Sequence, residues 1–187
     1  MKEVLHRADS RGVAEYGWLS SRHTFSFAAY HDPQRVRFGL LRVINDDVVQ
    51  PARGFDTHPH ENMEIISIPL AGALRHHDSM GYTLPASERN GRLQNIVSPD
   101  EDDTGVRINQ AAWFYLGDFS TGSSHSYTIK QPGNGAYILV LEGAIAIADK
   151  QLSRRDGIAI EGLETIDFTA TDDCQLLIMD VPVDAAA

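Results

Sequence analysis

Ala136-Tyr137-Ile138-Leu139-Val140-Leu141-Glu142-Gly143-Ala144-Ile145 reads as strand, glycine turn, strand. Its first half is short, apolar and rich in β-favouring residues, and Glu142-Gly143 stops it. Ile65-Ile66-Ser67-Ile68-Pro69-Leu70-Ala71-Gly72-Ala73-Leu74 repeats the pattern at an offset of 71 positions. Any two hairpins resemble each other, so the repeat gains weight from what surrounds it. After Gly143 come three further strand-like pieces, Gly157-Ile158-Ala159-Ile160, Thr165-Ile166-Asp167-Phe168 and Cys174 to Val181. After Gly72 there is little room before Leu93-Gln94-Asn95-Ile96-Val97 opens what reads as a second half. The spacing predicts two related halves, the first of them short. Pro85-Ala86-Ser87-Glu88-Arg89-Asn90-Gly91, polar and closed by Asn-Gly, is the linker candidate, dividing the chain into 1–84 and 85–187.

The remaining strand signals agree with an all-β chain. Phe38-Gly39-Leu40-Leu41-Arg42-Val43-Ile44, Ile65 to Ile68, Ile166-Asp167-Phe168 and Leu176-Leu177-Ile178-Met179 are short and bounded by turn residues. No segment shows a 3.6-residue period, so an antiparallel sandwich or barrel is expected. The 187 residues suffice for one large or two small domains. Hydrophobic content of 42% and charged content of 22% are those of a soluble globular protein. No apolar run approaches the roughly 20 residues of a membrane span. Met1-Lys2-Glu3-Val4-Leu5-His6-Arg7 lacks the apolar core of a signal peptide, so the cytoplasm is expected and a membrane partner is not. The single Cys174 excludes an intramolecular disulfide and, within an apolar run, reads as a buried thiol. A formal charge of −10 without a basic stripe argues against nucleic acid as a partner. Asp100-Glu101-Asp102-Asp103 and Asp172-Asp173 read as solvated turns.

Chemistry concentrates in Gly54-Phe55-Asp56-Thr57-His58-Pro59-His60-Glu61-Asn62-Met63-Glu64. Alternate side chains of an extended strand share a face, so His58, His60 and Glu64 point the same way, with Asp56. Two imidazoles and a carboxylate on one face are typical ligands for divalent iron, nickel, copper, manganese or zinc. Pro59, lacking an amide donor, suits an edge or an irregularity at a barrel mouth. An isolated His-x-His is otherwise an exposed polar face; Glu64 in phase and Gly72 in the next turn favour the metal. His76 and His77 lie several residues along their strand from His60, too far to share that ion. His6, His23 and His31 read as packed or surface residues, His23 lining a core or pocket in its aromatic setting. The offset of 71 puts Ile129, Gln131 and Gly135 where His58, His60 and Glu64 stand, so the second half is expected to lack metal ligands.

Gly54 to Gly72 is similar to the first cupin motif, in which a Gly precedes a His-x-His pair, then a Glu, then a Gly at the next turn. Tyr16-Gly17-Trp18-Leu19, His23-Thr24-Phe25-Ser26-Phe27, Leu41-Arg42-Val43-Ile44-Asn45-Asp46-Asp47, Thr57-His58-Pro59-His60 and His77-Asp78-Ser79-Met80-Gly81 resemble bacterial pirin-family proteins. A looser match continues through Ser98-Pro99-Asp100, Asp156-Gly157-Ile158-Ala159-Ile160 and Met179-Asp180-Val181-Pro182. The resemblance implies an all-β fold of two tandem cupin domains, each a double-stranded β-helix or jelly roll, the N-terminal one truncated. It implies one metal in the N-terminal barrel, iron first, with nickel, copper, manganese or zinc as alternatives. Of the four ligands in the family's pattern, two match His58 and His60. The other two, a His and a Glu from a second motif, have no counterpart between Gly81 and Leu93. Glu64 stands where other cupins coordinate metal, a position not normally counted as a ligand in pirins.

Two functions stay open on this basis. The first is a metal-dependent dioxygenase of the quercetin 2,3-dioxygenase kind, the family's suggestion, with His58 and His60 holding the metal and Glu64 as ligand or base. Its substrate is a flat phenolic molecule in an apolar pocket. The second is a catalytically inactive regulatory or protein-binding module, for which a homodimer or a protein partner covers the edges of an incomplete barrel.

Overall fold

A computed structural model describes residues 1–55, 62–72 and 89–183. The described residues carry β1 (Lys2–His6), β2 (Gly12–Glu15), β3 (Leu19–His23), β4 (Asn45–Val49) and β5 (Leu93–Ser98). Then follow β6 (Val106–Arg107), β7 (Trp113–Phe119), β8 (Ser124–Thr128), β9 (Asn134–Glu142) and β10 (Ala144–Ile147). The chain closes with β11 (Lys150–Ser153), β12 (Gly157–Glu161), β13 (Thr165–Ala170) and β14 (Cys174–Pro182). Seven strands join in the order β1-β12-β9-β14-β7-β5-β6, four in the order β11-β10-β13-β8, and three as β2-β3-β4. No helix among the described residues is long and apolar enough to cross a membrane.

The hairpin that opens the sequence argument links the two larger sheets. β9 lies inside the seven-stranded sheet between β12 and β14, and β10, just past Gly143, belongs to the four-stranded sheet. Gly143 is the hinge because its φ is 75° and a Cβ there would lie 2.0 Å from the carbonyl oxygen of Asp173. Alternation then sorts β9 into two sets. Ala136, Ile138 and Val140 enter one apolar cluster with Ile145, Leu152, Ile166 and Phe168 of the four-stranded sheet. Tyr137, Leu139 and Leu141 enter a second with Phe25, Phe38 and Ile44 from the first half, flanked by Ile66 and Ile68. The seven-stranded sheet is therefore the middle layer, with the four-stranded sheet on one face and the first half on the other. A sheet buried on both faces has continuously apolar strands instead of alternating ones.

The first half departs from its expected strands. Phe38 and Leu41 exchange backbone hydrogen bonds of 3.0 and 2.8 Å in a tight turn, with Gly39 at φ 53°, and the strand begins only at Asn45. The turn is what allows Phe38 and Ile44 to enter the same cluster. Ile65 to Ile68 forms no strand among the described residues; Ile66 and Ile68 pack as cover on the middle sheet. Left-handed φ angles at Asn62 (53°) and Gly72 (72°) bound this segment. The expected division between 84 and 85 lies outside the described residues.

The N-terminal strand β1 pairs antiparallel with β12, His6 opposite Gly157, and so completes the sheet of the second half. Buried Asp156 fastens the exit of β1: its carboxylate accepts from Arg7 Nη1 (2.7 Å), the Ala8 amide (2.8 Å) and the Ser153 amide (3.0 Å). His6 Nδ1 lies 3.0 Å from the Tyr137 hydroxyl in a buried contact. At the other end of the sheet, fully buried Asp180 accepts from Tyr127 Oη (2.7 Å), the Lys130 amide (2.8 Å) and Asn134 Nδ2 (2.6 Å). Three donors are what make a buried carboxylate tolerable.

Two outcomes are expected. Gly143→Ala should cost at least about 2 kcal/mol in chemical denaturation, because the added methyl meets backbone at a left-handed φ. Burial, reinforced by the charge of Arg35, holds His6 down at about 4, below its ordinary 6.5. The unfolded chain takes up that proton below pH 6.5 and the folded one does not. Stability should therefore be unaffected by His6 above pH 6.5 and fall as pH drops from 6.5 towards 4. At about 1.4 kcal/mol per pKa unit the loss approaches ~3 kcal/mol. The difference between wild-type and His6→Gln denaturation curves across that window measures it.

Candidate metal centre

The sequence places its metal pair at His58 and His60, and both lie outside the described residues, as do Asp56, His76 and His77. Glu64 is described. Its side chain lies at the surface of the segment 62–72, turned towards the loop after β6. Oε1 accepts from the Asn109 amide (2.8 Å) and from Asn109 Nδ2 (2.9 Å), and Oε2 accepts from the Gln110 amide (3.0 Å). That loop is itself held: the Ile108 amide donates to Ser98 O (3.0 Å), the Ala112 amide to Gln110 O (2.7 Å), and Ile108 and Ala112 are buried. The carboxylate read as a ligand or base thus bridges the first half to the second. Asn109 and Gln110 carried no signal in the sequence, because two of the three donors are backbone amides, which every residue but proline offers.

The described histidines are engaged elsewhere. His6 faces Tyr137, as above. His23 is 3% exposed, edge-on to Phe27 and Tyr30, with Nδ1 buried and unpartnered among the described residues. His31 is exposed. His125 lies between Phe119 and Phe168, its Nε2 3.0 Å from Ser123 Oγ. Among the described residues no three His, Cys, Asp or Glu side chains come together as a metal site. Of the second-half positions equivalent to the motif, Ile129 packs on the core and Gln131 donates to Asn134 Oδ1 at 3.2 Å. A Cβ at Gly135 would lie 2.6 Å from Ile160 O.

The acidic clusters are tied into turns. Asp100 Oδ2 accepts from Trp113 Nε1 (2.9 Å), and Glu101 pairs with Arg107 (2.7 Å). Asp173 Oδ1 accepts from the Thr121 amide (2.8 Å) and hydroxyl (2.9 Å), which lowers its pKa below the ordinary carboxylate value. Cys174 is buried; burial first, then the charge of Asp118, pushes its thiol up to about 11, so it is protonated and unreactive at neutral pH.

The family model described as "Pirin" matches residues 5–98, and the one described as "Quercetinase C-terminal cupin domain" matches residues 95–181. A quercetin 2,3-dioxygenase of Escherichia coli K12 is 31% identical over 227 aligned positions, which take in 95% of this chain and 98% of the relative. A pirin-like protein of Caulobacter vibrioides is 28% identical over 224 positions, covering 92% of this chain and 96% of its own. The crystal structure of the bacterial pirin YhhW from Escherichia coli in complex with nickel(II) superposes with a TM-score of 0.77. It is 26% identical, with 97% of this chain and 99% of that one covered. Both sequence alignments are longer than the 187 residues here, so these relatives carry residues with no counterpart in this chain.

Proposed function

The chain belongs to the pirin family, and from that premise we propose that it is a metal-binding cupin of the quercetin 2,3-dioxygenase type, an oxidoreductase for a flat phenolic substrate. The observation that carries the proposal is the 31% identity, over nearly the whole of both chains, to a protein named for that activity. The His58-x-His60 pair within the matched residues 5–98 supports it, since paired imidazoles with open positions are the donor set of a divalent transition metal. The nickel(II) held by the structurally similar bacterial pirin supports a divalent ion as cofactor.

The donors among the described residues do not complete such a site. Glu64, the third ligand suggested by strand alternation, accepts three hydrogen bonds from Asn109 and Gln110, and among the described residues no group of three ligating side chains stands elsewhere. What this chain's own residues provide is a rigid, apolar middle sheet and a first half docked on it.

A second function has its own observation. The relatives carry residues that this chain lacks, which supports a metal-poor pirin-like module whose work is to bind a protein or a second copy of itself.

Elemental analysis of the purified protein beside a His58→Ala/His60→Ala double variant separates the two. The dioxygenase proposal expects about one divalent metal ion per chain, absent from the variant, and loss of the quercetin absorbance band under oxygen with the metal-loaded protein alone. A correctly folded protein without metal overturns it in favour of the binding module.

A further inference from the structure

The segment 62–72 lies outside every strand pairing of the described residues, yet it is placed firmly against the second half. Its residues alternate. Ile66 and Ile68 pack on the cluster that covers the middle sheet, and Glu64, in phase with them, meets Asn109 and Gln110, while Met63 (45%) and Ile65 (52%) are exposed. The apolar pair supplies burial without direction. A carboxylate that takes three hydrogen bonds from two consecutive residues fixes a register, because sliding by one residue would break all three.

Resting on the assignment of His58 and His60 as the metal pair, we infer that Glu64 is a positioning residue, a latch that holds the segment following that pair against the 108–112 loop. Two features of the contact favour a latch over a ligand. The donors are two backbone amides and the side-chain amide of Asn109, a set matched to an ionised carboxylate. The loop that presents them is anchored on both sides by buried Ile108 and Ala112, so the donors stay fixed if the carboxylate leaves. Drawing Glu64 onto a metal would strip three donors at once and release the segment that carries the motif.

The latch and the ligand make opposite demands on Asn109, a residue with no metal-ligating group in either scheme. Wild-type protein, Glu64→Ala, Glu64→Gln, Asn109→Ala and the Glu64→Ala/Asn109→Ala double variant are compared by thermal unfolding of the metal-free protein and by nickel(II) titration. The latch expects Glu64→Ala to lower the melting temperature by about 4–8 °C. Asn109→Ala should lower it less, the double variant no further than Glu64→Ala, and Glu64→Gln should recover part of the loss through its remaining oxygen. Nickel(II) binding should weaken in the same direction in both single variants, by roughly tenfold or less. A hundredfold loss in Glu64→Ala with unchanged or tighter binding in Asn109→Ala would overturn the latch and make Glu64 a ligand. Melting temperatures that do not move, or that add in the double variant, would overturn it as well. If His58→Ala/His60→Ala leaves nickel(II) binding intact, the metal assignment fails while the melting series still decides the latch.

Discussion

The seven-stranded sheet is apolar on both faces, and a sheet of that kind has to be covered twice. One cover comes from within the second half: the four-stranded sheet folds back across Gly143 and closes a sandwich around Ile138, Val140, Ile145 and Leu152. The other cover comes from the first half, whose Phe25, Phe38 and Ile44 lie on Tyr137, Leu139 and Leu141. Each such side chain contributes about 1.5–3 kcal/mol when fully buried, so exposing either face would forfeit a large part of the fold's net stability. The first half is thus held in place by the needs of the second, even where its described residues pair in no sheet.

That division of labour explains what could be read from the residues. β9, β12, β13 and β14 were legible because their runs are both apolar and paired; periodicity and turn residues report the same fact. Phe38 to Ile44 and Ile65 to Ile68 look alike in sequence, but among the described residues they pair in no sheet and lie as covers on the middle one. An apolar, β-branched run signals burial, and burial is shared by a strand inside a sheet and by a segment lying across it. Hydrogen-bond pairing leaves no separate mark on the side chains, so Phe38 to Ile44 reads as a strand although only Asn45 onward pairs as one. The pairing of β1 with β12 was illegible for a related reason: Lys2 to His6 is short, half polar, and its partner is remote in sequence.

The site shows the same limit from the other side. His58, His60 and Glu64 are conspicuous because imidazole and carboxylate spacing reports chemistry directly. Strand alternation groups Glu64 with His58 and His60 in the sequence, and what its carboxylate meets depends on a loop 45 residues away. Backbone amides are the commonest donors in any protein and the least visible in a sequence. The loop that Glu64 meets could therefore not be read from its spacing to His58 and His60.

The junction of β1 with β12 has a temporal side. The two strands lie about 150 residues apart in sequence. At the 5–20 residues per second of bacterial and eukaryotic synthesis, β1 leaves the ribosome on the order of ten seconds before its partner. During that interval Leu5 and His6 have no groove to enter, and the edge they will occupy does not exist. Closure of this edge is then a long-range contact that cannot form before β12 has been made, so the second half takes up β1 only after the intervening strands have emerged.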